Sequence, residues 1–156
     1  VVSNPLINIT LQGRHDTYPK RRGMTRVPEQ LAQGLTVAFG QDCVMDPWYS
    51  LGSGDMLEVA SMGLHVAHMT SQAAMRQCFD AVTINAAKIL QLPAYGLAPG
   101  CHADFVLLQA RDPVEAIRLR ATRLKVFRRG HVVAQAPAST ATLQLPGRPG
   151  STAWMA

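Results

Sequence analysis

The segment Gly40–Trp48, GQDCVMDPW, restricts the possible fold more than any other part of the chain. It places an acidic residue, Asp42, shortly after residues 35–39, LTVAF, whose alternating pattern predicts a β-strand of roughly five residues. Asp42 is therefore expected at the C-terminal end of a strand. In parallel α/β folds, this end is where loops converge on ligands and metals. Asp42 is the first candidate functional residue, although a turn-forming aspartate would occupy the same position.

The residues before this strand predict a second strand and a short helix. Val1–Ile9 is the second candidate strand, interrupted by Asn4 and Pro5, and it leads into a polar loop from Gly13 to Gly23. Pro28 favours a helix over residues 27–33, because a proline loses no hydrogen bond at the first helical position. The predicted order is strand, long loop, short helix, strand and functional loop.

Helices are predicted to follow the Asp42 loop. Asp55 can cap a helix over residues 56–69, whose apolar residues recur at helical spacing. Two further helices are predicted over residues 71–79 and 79–90. Helices that cover a parallel sheet fit this pattern, so the fold class is predicted to be α/β. The apolar helix over 56–69 could pack on a barrel or on a neighbouring subunit.

A small β-module is predicted after Tyr95, where glycine and proline residues indicate a turn. Residues 103–108 predict a buried strand, Asp112-Pro113 opens a helical turn, and strands over 124–128 and 131–134 are joined by a turn at Arg129-Gly130. From Ala136 onward, polar residues and proline predict an extended tail with Trp154 as its only large anchor.

Composition excludes some classes of protein. A chain of 156 residues with 47% hydrophobic residues can bury a core. The net charge is +5, and basic residues cluster over 20–22 and 118–129. Because these clusters lack interleaved aromatic residues, we expect no nucleic-acid partner. No apolar run approaches the roughly 20 residues of a membrane span, so no membrane association is expected. The chain opens as a core strand without a cap, as expected for the C-terminal part of something longer.

The three cysteines, Cys43, Cys78 and Cys101, have no paired spacing. They indicate neither a disulfide framework nor a zinc knuckle, and a reducing, cytoplasmic setting is the simplest interpretation.

Three segments resemble the amidohydrolase superfamily: Asp42 after its strand, VTINAAKIL over 82–90 and YGLAPGCHADFVLL over 95–108. Within it, residues 11–27 and 46–57 resemble the bacterial cytosine deaminases. The resemblance extends to about Pro137. It implies the C-terminal part of a (β/α)8 barrel over residues 1–92, part of a small β-sandwich over 93–137, and a tail over 138–156. A whole barrel needs about 250 residues, so the chain would be the last third of its parent.

The resemblance also implies a reaction. It predicts metal-dependent hydrolytic deamination of cytosine, or of a 5-substituted cytosine such as 5-methylcytosine, with a small nucleobase as the substrate. In the family, the position matched by Asp42 binds the metal, iron or zinc, and carries a proton from water to the ring. A single carboxylate cannot hold a catalytic metal, which usually needs about three protein ligands, so the other ligands would lie upstream. The isolated segment is therefore expected to be inactive.

Two residues near Asp42 are predicted to contact the substrate. Cys43 replaces a second aspartate expected from the resemblance, and a smaller, less polar thiol should enlarge and dry the pocket near a 5-substituent. A buried, inert cysteine is the alternative. Trp48 matches a pocket aromatic of the family that can close over a planar base, with a core tryptophan as its alternative. Asp46-Pro47 is interpreted as a turn.

The spacing of the five histidines does not indicate a metal site. His65 and His68 could share a helix face, but no third ligand follows at zinc-site spacing. His15 beside Asp16 could be an oriented base, but in a basic loop this pattern is more often a local ion-pair and turn element. His102 and His131 belong to the β-module.

Other functions stay open on the sequence. The chain could belong to an amidohydrolase acting on another nucleobase or cyclic amidine. It could also be a non-catalytic module, in which the first strand and the apolar 56–69 helix would favour self-association. A homo-oligomer is expected.

Overall fold

The computed structural model describes residues 1–21, 23–142 and 144–148. Helices and strands are interspersed along the chain, which places the protein in the α/β class. The elements are β1 (Val2–Ser3), α1 (Pro5–Leu11), α2 (Val27–Ala32), β2 (Ala38–Phe39), α3 (Met56–Val66), α4 (Gln72–Ala81), α5 (Ile84–Ile89), β3 (Phe105–Leu108), α6 (Pro113–Leu119), β4 (Arg123–Arg128) and β5 (His131–Gln135).

The two short strands β1 and β2 are parallel neighbours, with Val2 opposite Ala38 and Ser3 opposite Phe39. Backbone hydrogen bonds join Ala38 N to the Val1 carbonyl and Gly40 N to the Ser3 carbonyl, both at 2.9 Å. The strand predicted over residues 35–39 is confirmed at its last two positions. Its parallel partner places both C-terminal ends at one edge.

The strand predicted over Val1–Ile9 is wrong after Ser3, because α1 begins at Pro5. Proline fits the first helical turn, where its missing N–H has no acceptor to serve. The alternating apolar residues around Ile7 and Ile9 imitate a strand period, but Leu6 and Ile7 are buried together on the helix. Tertiary packing decides the conformation of this segment.

The predicted helices α2 and α3 are confirmed, and the Asp55 carboxylate caps α3 by accepting hydrogen bonds from Leu57 N and Glu58 N. Helix α3 ends at Val66 rather than at Met69. His68 has a φ of 56°, and Met69 N bonds to the Leu64 carbonyl at 2.8 Å, so the chain turns here.

The boundary between the two helices predicted to meet at Phe79 lies a few residues further along the chain. Helix α4 runs through Phe79 to Ala81, with the Ser71 hydroxyl as its N-cap, and α5 starts at Ile84. The Thr83 hydroxyl bonds back to the Phe79 carbonyl at 2.8 Å.

The core is built around α3, whose buried residues are Leu57, Val59, Ala60, Gly63 and Leu64. They share a hydrophobic cluster with Phe39 of β2, and a Cβ built on Gly63 would lie within 3.0 Å of the Phe39 ring. The apolar face of α3 therefore packs inside the chain. Of the two packing partners predicted for this helix, the structure shows the one inside the chain, and self-association stays a prediction.

The second sheet is antiparallel, in the order β3-β4-β5, and Phe105 of β3 stacks on Phe127 of β4 with ring centroids 4.4 Å apart. The predicted strands and the Arg129-Gly130 turn are confirmed, and both turn residues have positive φ. The prediction that the first of these strands is buried is wrong, because Val106 and Leu107 are about half exposed. The Asp112 side chain caps α6, whose Ile117 joins the core.

The division at residues 92 and 137 stays a prediction. The tail is joined to β3 through Gln109, whose side chain exchanges two hydrogen bonds of 2.8 Å with the Ser139 backbone. Trp154, the predicted anchor, and Arg22 of the first basic cluster lie outside the described residues. Within the described ranges, every helix is too short or too polar to cross a bilayer.

Candidate functional site at the ends of the parallel strands

The C-terminal ends of β1 and β2 bring two polar side chains together. Asn4 follows β1, Asp42 follows β2, and the Asn4 Nδ2 donates a hydrogen bond of 2.7 Å to the Asp42 Oδ2. The two residues are 38 positions apart in sequence. Asp42 thus lies at the predicted strand end, and its carboxylate is exposed.

Asp42 adopts the left-handed backbone conformation, with a φ of 62°. This conformation costs most side-chain-bearing residues roughly 1–2 kcal/mol, and aspartate and asparagine are among the few that visit it routinely. Non-glycine residues held at positive φ concentrate at functional sites. The backbone at Asp42 therefore restricts which residues can stand there.

Cys43 completes the surroundings of this carboxylate. Its thiol donates to the Asp42 Oδ1 at an Sγ–O distance of 3.0 Å. The hydrogen bond to Asp42 is the main cause that raises the pKa of Cys43 to about 12, followed by a hydrogen bond with Asp46 and by burial. The thiol is partly buried and remains protonated at neutral pH, so it acts here as a hydrogen-bond donor.

Asp46 shapes the loop that follows. Its Oδ1 accepts hydrogen bonds of 2.9 Å from Trp48 N and from Tyr49 N, which confirms the turn predicted at Asp46-Pro47. The hydrogen bond with Cys43, and then that with the Tyr49 backbone, lowers the pKa of Asp46. Tyr49 is the buried aromatic of the loop, whereas Trp48 is 69% exposed. The alternative that Trp48 is a core residue is wrong, and its predicted contact with a substrate stays a prediction.

Gly40 lies close to two side chains of the neighbouring strand end. A Cβ built on Gly40 would lie 2.5 Å from the Asn4 Oδ1 and 3.2 Å from the Val2 Cγ1. The neighbouring Gln41 donates weakly from its Nε2 to the Cys43 carbonyl at 3.4 Å. Its buried Oε1 has no hydrogen-bond partner in the described part of the chain.

Sequence reasoning missed Asn4 and Gly40. Asn4 was visible only as an interruption of a strand, and Gly40 only as its end. The signal that could have found them is the parallel pairing of their strands, because parallel neighbours present their C-terminal ends at the same edge.

The metal expected from the resemblance needs several donor groups that converge on this edge. Both oxygens of Asp42 accept hydrogen bonds, from Asn4 and from Cys43. Among the described residues, no three histidine, cysteine or acidic side chains converge in a way that could hold a metal ion. His65 points its Nδ1 at the Ser61 carbonyl at 2.6 Å. The described residues at this edge therefore do not form a complete metal site.

Two other features lie away from this edge. Asp16 forms a two-pronged ion pair with Arg21, with both oxygens at 2.6 Å, and this hydrogen bonding lowers the pKa of Asp16 to about 2. The ion-pair interpretation of that loop is confirmed. A cavity of about 680 Å³ between α3, α5 and the antiparallel sheet is lined mostly by apolar residues and contains none of the predicted site residues.

The chain is similar to several deaminating and related hydrolases. A 5-methylcytosine deaminase from Klebsiella pneumoniae, solved with 5-fluorocytosine, is 41% identical with a TM-score of 0.85, over 94% of this chain and 35% of that one. An N-isopropylammelide isopropylaminohydrolase from Burkholderia multivorans ATCC 17616 is 36% identical with a TM-score of 0.70, over 75% of this chain and 30% of that one.

A curated relative, the pterin deaminase of Rhizobium rhizogenes (strain K84 / ATCC BAA-868), is 36% identical over 138 residues, which are 85% of this chain and 30% of the relative. The chain thus spans about a third of the length of these relatives. Residues 1–134 match the amidohydrolase family along most of the chain, including the Asp42 edge. The protein is a member of the amidohydrolase family, with a 5-methylcytosine deaminase as a strong structural match.

Proposed function

We propose that this chain is the C-terminal part of a metal-dependent deaminase that converts cytosine, or a 5-substituted cytosine such as 5-methylcytosine, to the uracil analogue and ammonia. The observation that carries the proposal is the similarity to the Klebsiella 5-methylcytosine deaminase, at 41% identity and a TM-score of 0.85. In this proposal the parent contains a (β/α)8 barrel, of which residues 1–92 supply the last strands, and a β-sandwich, to which residues 93–137 contribute.

Asp42 is the catalytic residue and one metal ligand in this proposal. Water adds to the ring carbon that bears the amino group, forming a C–O bond, and the C–N bond to ammonia breaks. One proton of the water ends on the ring nitrogen and the other on the leaving ammonia. A proton must move from water to the substrate, and an exposed carboxylate at a strand end is suited to carry it over hydrogen-bond distance. The metal, iron or zinc, would take its other ligands from outside this chain.

Cys43 and Trp48 are proposed to contact the substrate. The Cys43 thiol donates a hydrogen bond to Asp42 and is smaller and less polar than a carboxylate. We expect it to leave room for a 5-methyl group that a second carboxylate would crowd and hydrate. Trp48, 69% exposed at the loop beside this edge, is proposed to cover the planar base, where aromatic stacking contributes about 1 kcal/mol beyond burial.

The remaining partners and the location are proposals of the same kind. The substrate is a small nucleobase, nucleic acid and membranes are not partners, the enzyme is a cytoplasmic homo-oligomer, and the chain alone is inactive. These proposals derive from the composition and from the resemblance to the family.

A second candidate is deamination of a bicyclic amidine, favoured by the pterin deaminase that is 36% identical over 138 residues. Both candidates release ammonia from a ring that contains an amidine unit. A non-catalytic module is the third candidate, and ammonia release by the parent enzyme would contradict it.

The test measures ammonia release from cytosine, 5-methylcytosine and pterin by the parent enzyme loaded with iron or zinc, and by the 156-residue chain. Asp42→Asn is the matched variant, because asparagine also tolerates a positive φ and keeps the side-chain shape. We expect turnover of a cytosine by the parent and its loss in Asp42→Asn. Exclusive turnover of pterin would favour the second candidate, and no turnover of any of the three would contradict deamination.

A matched substitution tests the role of Cys43. Cys43→Asp should lower the ratio of kcat/KM for 5-methylcytosine to that for cytosine. Cys101→Asp serves as the control, because Cys101 is partly exposed in a different part of the chain. An unchanged ratio in Cys43→Asp would contradict the proposed contact with the 5-substituent.

A further inference from the structure

We propose that Asn4 is a positioning residue that holds the Asp42 carboxylate in its catalytic orientation, and that Gly40 provides the space Asn4 needs. This inference deepens the proposed function and rests on Asp42 being the residue that handles the proton. It assigns a role to two residues that the sequence alone did not connect with the reaction.

The hydrogen bond between Asn4 and Asp42 is short and is made to a charged group. The Nδ2–Oδ2 distance of 2.7 Å lies in the range of charge-assisted hydrogen bonds, which are roughly twice as strong as neutral ones. The Asn4 amide group donates a proton that it does not lose near neutral pH. It can therefore orient the carboxylate without competing for the proton that Asp42 is proposed to carry.

Asn4 forgoes its usual local role to make this bond. It stands at the N-cap of α1, where an asparagine side chain commonly accepts a hydrogen bond from the first turn. Here its backbone carbonyl accepts from Asn8 N at 3.0 Å, but its side chain makes no capping bond. The side chain instead reaches across to the neighbouring strand end. The Asn4 side chain therefore contributes to the position of Asp42 and makes no capping bond to the helix.

Gly40 makes this arrangement possible. A Cβ at position 40 would lie 2.5 Å from the Asn4 Oδ1, which is closer than real Cβ contacts. The Gly40 backbone is fixed in turn by its hydrogen bond of 2.9 Å to the Ser3 carbonyl. An alanine at position 40 would therefore displace the Asn4 amide group rather than move the strand.

The Asp42 carboxylate is held from two sides. Asn4 donates to Oδ2 and the Cys43 thiol donates to Oδ1 at 3.0 Å. These two hydrogen bonds limit the directions in which the exposed carboxylate can point. Fixing its direction keeps the oxygen that carries the proton aimed at one place, and an error of about 1 Å in such positioning can cost about 100-fold in rate.

The kinetic test compares Asn4→Ala, Gly40→Ala and the double variant in the parent enzyme, using cytosine and 5-methylcytosine. Loss of such an outer partner typically costs 10- to 100-fold, so we expect each single variant to lower kcat by about that factor with KM changed by less than about threefold. Asn8→Ala, the same substitution one turn further along α1, is the control and should leave kcat within about twofold of wild type.

The double variant distinguishes positioning from a general loss of folding. If Gly40→Ala acts by displacing Asn4, it has no further effect on kcat once Asn4 is alanine, whereas independent losses of stability would multiply. The inference is overturned if Asn4→Ala leaves kcat within about twofold, or if the two substitutions are multiplicative.

A spectroscopic arm separates this inference from the proposed function. The Asn4 side-chain amide protons are assigned in the 156-residue chain by their loss in Asn4→Ala, and their chemical shifts are compared with those in Asp42→Ala. We expect the resonance of the bonded proton to move upfield when the carboxylate is removed. Unchanged shifts would overturn the contact and leave deamination standing. Absence of turnover in the wild-type parent would overturn the proposed function, and the positioning role would fall with it.

Discussion

Gly63 is the position where the packing beneath the site can be tested most directly. Gly63 lies in the middle of α3 and faces the ring of Phe39 in β2. Phe39 in turn precedes Asp42 by three residues. A Cβ at position 63 would lie 2.5, 2.9 and 3.0 Å from three carbons of that ring. Phe39 is only 3% exposed, so its ring has no solvent-filled space to move into.

Two effects of Gly63→Ala oppose each other. Alanine favours a helix interior over glycine by about 1 kcal/mol. Overpacking of a filled core costs roughly 1–3 kcal/mol, and three ring carbons at 3.0 Å or less place this site near the upper limit. The overpacking effect is larger, and we expect the free energy of unfolding to fall by about 2 kcal/mol.

Urea unfolding of the 156-residue chain, followed by far-ultraviolet circular dichroism, measures the change. Ser61→Ala on the same helix controls for helix propensity and should be neutral or slightly stabilising. In the Phe39→Leu background the clash is relieved, so Gly63→Ala should no longer destabilise. Stability equal to or above that of wild type in Gly63→Ala alone would refute the argument.

Three further outcomes are expected. The arginines around Glu115 hold its pKa at about 2, below its usual 4.5, so this carboxylate stabilises the fold above pH 4.5 and loses that contribution as pH falls toward 2. Acid unfolding of Glu115→Gln should therefore depend less on pH over that interval, and an unchanged profile would contradict this. Asp55→Ala removes both the cap of α3 and the ion pair with Arg123, so it should lower the stability by more than the roughly 1 kcal/mol of a cap alone. Asp55→Asn keeps the cap, so its loss of stability in thermal melts should be smaller. Iodoacetamide at pH 8 should modify Cys101 before Cys78, because burial raises the pKa of the Cys78 thiol to about 12. Peptide mass spectrometry measures the two modification rates, and equal rates would contradict this prediction.

Local sequence signals predicted the helices and the acidic strand end well. Asp55 and Asp112 act as N-caps, as their position before apolar periods indicates, and Pro28 lies in the first turn of α2. These features depend on neighbours a few residues away. The failure at Pro5 has a different cause, since an apolar alternation and a helix start overlap there and only packing against α3 decides between them.

The site could be predicted only in part, because it depends on contacts between distant residues. Asp42 was identifiable from its strand, but Asn4 was not, since its partner lies 38 positions away. The exposure of Trp48 and the burial of Tyr49 depend on the Asp46 turn, which orients two adjacent aromatic residues in opposite ways. Adjacent aromatics give no sequence signal for which one turns inward.

The parallel pairing of β1 with β2 has a consequence for the order in which the molecule forms. Bringing Asn4 to Asp42 closes a loop of 38 residues, at an entropic cost of about 3 kcal/mol by ideal-chain scaling, for a pairing of only two residues per strand. The hydrogen bonds of so short a ladder do not offset that cost by themselves, so the pairing also needs the packing of α1 and α3 behind it. The polar edge therefore exists only in molecules that have already folded, and any chemistry measured there also reports the folded fraction.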